Sequence, residues 1–293
     1  MNNVLFLKPF LIHSVWGGNK LSKYNIDIKN SKDIGEAWII SGCQDKSAII
    51  NNGEYKNKTL AEVFTNHKEL FDHYEKETYP LLVKFLDCND KLSIQVHPIK
   101  NHPKNECWYF LEAGKNANIV YGHKAKTKKE FVDLVKNKNW NKLLKYKKVK
   151  ANDVVYVPTG CLHSLNEHLL VYEVQQAVDI TYRLYDYDRN CRPIHTKEAI
   201  ANTIIPFVEP KIKKDPKALI KCRYFELVKI VNTKTKKYTF NQARWIQATV
   251  IKGKGLLNNK SKINKGTSFI IPSDSKEFTL SGNLTLLISY VTK

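Results

Sequence analysis

Between Lys91 and Tyr187 the chain breaks into runs that are short and rich in β-branched, aromatic or aliphatic residues. Lys91–His97, Cys107–Glu112, Asn118–Gly122, Val154–Val157, Leu169–Gln175 and Asp179–Tyr187 are each bounded by Gly, Pro or Asn. Runs of this kind, punctuated by turn formers, predict strands. Three segments read as helices instead. "TLAEVFTNHKELFD" (59–72) and "TKKEFVDLVKNKNWNKLL" (127–144) open on capping-box patterns, Thr59 to Glu62 and Thr127 to Glu130, and "TKEAIANTI" (196–204) is shorter. Near residue 205 the proline and charge content rises in "IPFVEPKIKKDPKA", after which strand-like runs continue. Strand-dominated blocks with helices confined to insertions predict a mainly β protein of sandwich or barrel type.

At 293 residues, 42% hydrophobic and 26% charged, the chain can bury a large core in one or two domains. No apolar run is long enough to cross a bilayer, and "VLFLKPFLI" (4–12) is broken by Lys8 and Pro9, so neither a membrane protein nor a secreted one is expected. Cys43, Cys88, Cys107, Cys161, Cys191 and Cys222 form no CxxC pair, which predicts reduced thiols in a cytoplasmic protein. The net charge of +20 raises the question of nucleic acid. Nearly all the excess is lysine spread along the chain, as in "KLLKYKKVK" (142–150) and "KIKKDPK" (211–217), and there are five arginines. Base readout and bidentate phosphate gripping favour arginine, so no nucleic-acid partner is expected. A positive field still helps to gather a phosphorylated small molecule.

Within "LSIQVHP" (92–98), Leu92, Ile94 and Val96 alternate with Ser93, Gln95 and His97. An amide and an imidazole therefore share one face of a strand. "NECWYFLEAG" (105–114) places Glu106 at the head of another apolar strand. "NDVVYVPTGCLHSL" (152–165) ends a strand at Pro158, turns at Gly160 and aims His163 into the next apolar run. Taken singly, each polar residue is ordinary strand decoration. Together Gln95, His97, Glu106 and His163 form a mixed N/O donor set suited to zinc in an open catalytic site, and two His with one carboxylate also suit Fe(II). Lys84, inside "PLLVKFLD", either snorkels to the surface or meets an acid or a phosphate, because an unpaired buried ammonium is costly.

"QVHP", the Glu of "KNECWY", "VPTGCLH" and "YEVQQAVDITYRLYDYDR" follow "WGGNKL" (16–21), "GEAW" (35–38) and "YPLLVKFLD" (79–87) in order. In this combination the chain resembles type I mannose-6-phosphate isomerase in its short bacterial form, over about the first two hundred residues. The resemblance implies a zinc-dependent cupin enzyme that interconverts mannose 6-phosphate and fructose 6-phosphate through an enediol, a monomer or homodimer with a sugar phosphate as its partner. It assigns one Zn²⁺ to Gln95, His97, Glu106 and His163, a catalytic and substrate-binding role to Arg183, and proximity to the metal, hence proton transfer, to Lys104. Lys84 is a candidate for holding the phosphate. Against the general cupin pattern, Asn152 stands where a Gly belongs and Asn166 comes one position early. "GTSFIIP" (266–272) repeats half of that pattern with no histidine after it. The expectation is two cupin-like barrels with small helical insertions: a catalytic unit at 1–208 and a C-terminal unit without metal ligands at 209–293.

Overall fold

A computed structural model describes residues 4–210 and 218–292; the lysine run 211–217 lies outside the described residues. Three antiparallel sheets carry the fold. The first has six strands in the order Val154–Val157, Glu106–Ala113, Leu169–Gln176, Leu81–Cys88, Ile34–Ile40 and Phe10–Gly18. The second has five, in the order Tyr182–Tyr185, Ile94–Val96, His163–Leu165, Asn118–His123 and Leu144–Lys148. Trp16, Leu86, Trp108 and Phe110 of the first meet Ile119, Tyr121 and Leu165 of the second in one apolar cluster, so the two sheets face each other. The outer face of the five-stranded sheet, with Ile94 and Val96, is covered by Phe131, Val135 and Ala199 of the helices. Alternation along "LSIQVHP" thus sends Ile94 and Val96 toward the helices and its polar residues into the barrel, while Leu92, before the strand, packs on the inner cluster.

The third sheet has nine strands, most of them from residues 220–290, but Leu5–Lys8 pairs with Ser268–Ile271 and brings Ile49–Ile50 with it. One face buries Leu5, Leu7, Trp245 and Leu287 against Val83, Phe85, Tyr109 and Tyr172 of the six-stranded sheet. The other encloses Ala248, Val250, Phe269, Phe278 and Leu286. An N-terminal strand therefore completes the C-terminal sheet.

The predicted helices form with breaks. Residues 59–72 divide into an α-helix, Leu60–Asn66, and a 3-10 turn, Lys68–Phe71, because His67 leaves helical geometry and Phe71 turns in against Tyr79 and Trp245. Thr59 and Glu62 make both bonds of the capping box. At the second, Thr127 caps Glu130, but the Glu130 carboxylate reaches the Lys126 amide instead. That helix spans Lys128–Lys136 and resumes at Trp140–Leu143 after Lys138 takes a positive φ of 50°. Among the described residues no helix is long and apolar enough to cross a membrane.

A polar chain is buried where the six- and nine-stranded sheets meet. Trp245 Nε1 donates to the Tyr79 hydroxyl at 2.8 Å, which donates to Gln247 Oε1 at 2.6 Å, and Gln247 Nε2 donates to Ser289 Oγ at 2.8 Å. Tyr79→Phe leaves an indole donor and an amide acceptor without partners, and is expected to destabilise the fold by about 1–3 kcal/mol. A lower urea midpoint at unchanged slope checks it, and an unshifted midpoint contradicts it.

Candidate metal centre

Register places the polar residues in two facing rows. Across the five-stranded sheet, Arg183 pairs with Gln95 and Gln95 with His163. Across the six-stranded sheet, Trp108 pairs with Glu173, Glu173 with Lys84 and Lys84 with Trp38. Glu106, two residues before Trp108, shares that face. Asn152, in the glycine position of the cupin pattern, takes φ +71°, a conformation asparagine tolerates. Gly160, at φ +74°, makes the turn that delivers His163, and the Ile204 amide donates to its carbonyl at 2.9 Å.

His97, Glu106 and His163 converge, each at most 2% exposed, with ligand-type atoms all within 4.8 Å of one another. His97 Nδ1 contacts the Ile180 carbonyl at 2.9 Å and His163 Nδ1 the Cys161 carbonyl at 2.8 Å. A carbonyl only accepts, so each Nδ1 carries the proton and each neutral ring turns a bare Nε2 lone pair inward. Burial, then Lys104, pushes the His97 pKa down to about 3, and burial lowers that of His163. Those lone pairs face acceptors: Nε2 of His97 is 3.1 Å from Glu106 Oε2, and Nε2 of His163 is 3.4 Å from Glu106 Oε1. Neither His97 Nε2 nor Glu106 Oε2 has a hydrogen-bond partner among the described residues. Burial opposes ionisation of Glu106, yet its carboxyl is held well below the usual range, chiefly by the ammonium of Lys104. Three inward acceptors with backbone-fixed tautomers fit a cation between them. The trio can hold a metal ion.

Gln95 lies beside the trio, its Nε2 3.5 Å from His163 Nε2, while its Oε1 accepts from Ser93 at 3.1 Å. Its oxygen is thus turned to Ser93 and its amide nitrogen to the cluster. Lys104 is 5% exposed and its ammonium stands 3.3 Å from Glu106 Oε2. Lys84 neither snorkels nor stands alone. Its ammonium is 3.1 Å from Glu36 Oε2 and 3.5 Å from Glu173 Oε1, under the Trp38 ring. Burial works against charge on Lys84, but Glu36 and Glu173 more than offset it and raise its pKa.

A cavity of about 410 Å³ opens over these residues, its wall including Gln95, Lys104, Lys84 and Arg183. The strand bearing Arg183 ends at Tyr185, and Tyr187 and Asp188 turn at positive φ. The strand is therefore shorter than the run Asp179–Tyr187 predicted, and Arg189, beyond it, binds Asp90 and Asp186. Sequence reasoning passed over Glu36, Glu173 and Arg192. The signal for Glu173 was present: "LLVYEVQQ" has one charge in an apolar strand, as "PLLVKFLD" does, and register pairs the two.

A family model for the catalytic domain of phosphomannose isomerase type I matches residues 5–140, and one for the cupin domain of mannose-6-phosphate isomerase matches 215–291. Mannose-6-phosphate isomerase ManA of Bacillus subtilis is 33% identical, with 98% of this chain and 98% of the relative covered. The chain belongs to the type I phosphomannose isomerase family. Mannose-6-phosphate isomerase of Streptococcus mutans is 32% identical over 99% of both chains. The crystal structure of the Bacillus subtilis mannose 6-phosphate isomerase superposes with a TM-score of 0.92 at 33% identity, covering 99% of this chain and 100% of that one. The mainly β cupin architecture expected from the isomerase resemblance is thus the observed one.

In this isomerase fold Lys84 binds one buried carboxylate, Glu173, and one partly buried one, Glu36, so Lys84→Met strands both and is expected to cost about 3 kcal/mol at pH 7. Burial resists charge on Glu36, but Lys84 holds its folded pKa below the ordinary range, so that stabilisation exists above the unfolded value near 4.3 and fades as pH falls. In the variant both folded values rise, and the penalty shrinks from pH 7 toward about pH 4. Urea unfolding of both proteins across that range checks it; a pH-independent difference contradicts it.

Proposed function

We propose that this protein interconverts mannose 6-phosphate and fructose 6-phosphate, with one Zn²⁺ held by His97, Glu106, His163 and Gln95. The observation that carries the reading is the buried set of two bare imidazole lone pairs facing one ionised carboxylate, within a chain of the phosphomannose isomerase family. For Gln95 to join through oxygen, its amide must turn and give up Ser93. Bound there, zinc supplies a Lewis acid to the carbonyl end of the open-chain sugar.

Moving a proton between C2 and C1 passes through an enediol and needs a group that takes the proton from one carbon and returns it to the other. Lys104 is assigned that role: it is buried, its ammonium is held by Glu106, and it reaches the cavity wall. Arg183 reaches the same cavity from beside Gln95, where its guanidinium orients the sugar and stabilises charge developing on its oxygens. Lys84 has three donors and two acid partners, leaving one for a substrate oxygen. Every assigned site residue precedes 209, which supports a catalytic unit at 1–208 backed by a C-terminal unit at 209–293. Cys43, Cys88, Cys107, Cys161, Cys191 and Cys222 are all unpaired, which supports a cytoplasmic setting.

A coupled assay of mannose 6-phosphate turnover tests the reading. Exhaustive chelation is expected to abolish activity and added zinc to restore it. His163→Ala and Glu106→Gln are expected to weaken zinc binding by about 100-fold or more in equilibrium dialysis. Full turnover after chelation contradicts the zinc role, and unchanged affinity in both variants contradicts the ligand assignment.

A further inference from the structure

The cations on the cavity wall are not equally satisfied. Lys84 is held by Glu36 and Glu173, Lys46 by Asp179 at 2.6 Å, and Lys104 by Glu106. Arg183 forms no salt bridge among the described residues, Asp186, Asp179 and Glu36 acting on it only at longer range, and its buried Nε has no hydrogen-bond partner there. Another cation, Arg192, lies on the same wall. Burial, then the charge of Arg192, holds the Arg183 pKa below its ordinary value.

Arg192 is not a loose surface side chain. Asp186, 2% exposed, takes Arg192 Nε on Oδ2 at 3.0 Å and Nη2 on Oδ1, which fixes the plane of the guanidinium. The other terminal nitrogen, Nη1, has no hydrogen-bond partner among the described residues. Asp186 also takes Arg189 Nη2 at 2.9 Å, and Arg189 continues to Asp90 and the Lys91 carbonyl, so the carboxylate is anchored from both sides. The His195 amide donates to the Arg183 carbonyl at 2.7 Å, tying the far end of the same loop to the strand that carries Arg183. Two guanidiniums are thus held on one wall, one without a salt bridge and the other with a free edge. A dianion relieves their repulsion, and a tetrahedral phosphate offers enough oxygens to engage both forks.

We propose that Arg192, together with Arg183, grips the phosphate group of the substrate, and that Asp186 is the positioning residue that holds the Arg192 fork in place. This rests on the sugar-phosphate isomerase reading. It puts the phosphate at the arginine pair and leaves Lys84, already shared by two acids, to the sugar.

The test uses the full-length zinc-loaded protein with mannose 6-phosphate as substrate and inorganic phosphate as a competitive probe. Arg192→Ala is expected to raise both KM and the phosphate inhibition constant by about 10- to 100-fold, the loss of a charge-assisted contact, with kcat changed far less. Arg192→Lys keeps the charge without the fork and is expected to fall between; it also carries the test if the alanine variant does not fold. Asp186→Asn is expected to shift KM and the phosphate constant in the same direction, by less. Arg189→Ala, which loosens the same carboxylate from outside the cavity wall, is expected to leave the phosphate constant near wild type. Unchanged KM and phosphate inhibition in both Arg192 variants overturn the proposal, as does an equal rise in Arg189→Ala, which would mark loop collapse. A wild-type protein inactive on mannose 6-phosphate overturns the isomerase reading itself, a result distinct from an active wild type with an insensitive Arg192.

Discussion

Two imidazole lone pairs directed at one carboxylate are unfavourable in a dry interior unless something positive stands among them. In this protein the arrangement is enforced from outside the cluster. The Ile180 and Cys161 carbonyls take the Nδ1 protons, so neither ring can present a donor to Glu106 while it stays neutral. Burial keeps both rings neutral, and Lys104 keeps the carboxylate ionised. Each of these choices costs stability in the absence of a cation and each raises the affinity for one. Glu106 and His163 are held in place on paired strands, and His97 follows directly on the strand Ile94–Val96.

The same logic extends along the six-stranded sheet. Lys84 and Glu173 sit directly opposite each other on its two central strands, with Trp38 and Trp108 as flanking partners. The Trp108 indole donates to Glu173 at 2.8 Å and the Trp38 indole to Glu36 at 2.7 Å, so both acids of the lysine are themselves oriented. Replacing such a network with packed aliphatic residues would be neutral or stabilising in many folds. Its retention beside the cavity makes sense as a fixed electrostatic frame, in which no side chain must reorganise when a charged substrate arrives.

How much of this was legible in the sequence depends on whether a signal was local. Strand positions followed from alternation and turn formers, and the three residues that converge, His97, Glu106 and His163, stood out by residue type in or beside those strands. The aim of His163 followed from Pro158 and Gly160. Long-range register was invisible: nothing within "PLLVKFLD" says that Lys84 will lie opposite Glu173, and so its acid partners could be named only as a class. The N-terminal strand Leu5–Lys8 shows the same limit, since its partner Ser268–Ile271 is far away in the chain. Arg192 escaped notice because it lies in an irregular loop, where periodicity carries no information. The extended reading of Asp179–Tyr187 failed for a related reason, since two consecutive positive-φ residues ended the strand where composition still favoured it.

The helical insertion at Thr196–Asn202 is small, yet it joins the pieces that must not drift. Asn202 Oδ1 accepts from the Ile99 amide at 3.0 Å, just past His97, and the Ile204 amide donates to the Gly160 carbonyl, just before His163. His195, at the start of the helix, both donates its amide to the Arg183 carbonyl and accepts the Arg183 amide on Nδ1 at 3.3 Å. One short element therefore clamps the loops after the first histidine and before the second, as well as the strand of the cavity arginine. A shift of about 1 Å in any of these loops would cost a site of this kind orders of magnitude in rate. Helices on the outer face of the five-stranded sheet thus do more than cover apolar residues: they set the spacing between the His97–Glu106–His163 cluster and the arginine wall.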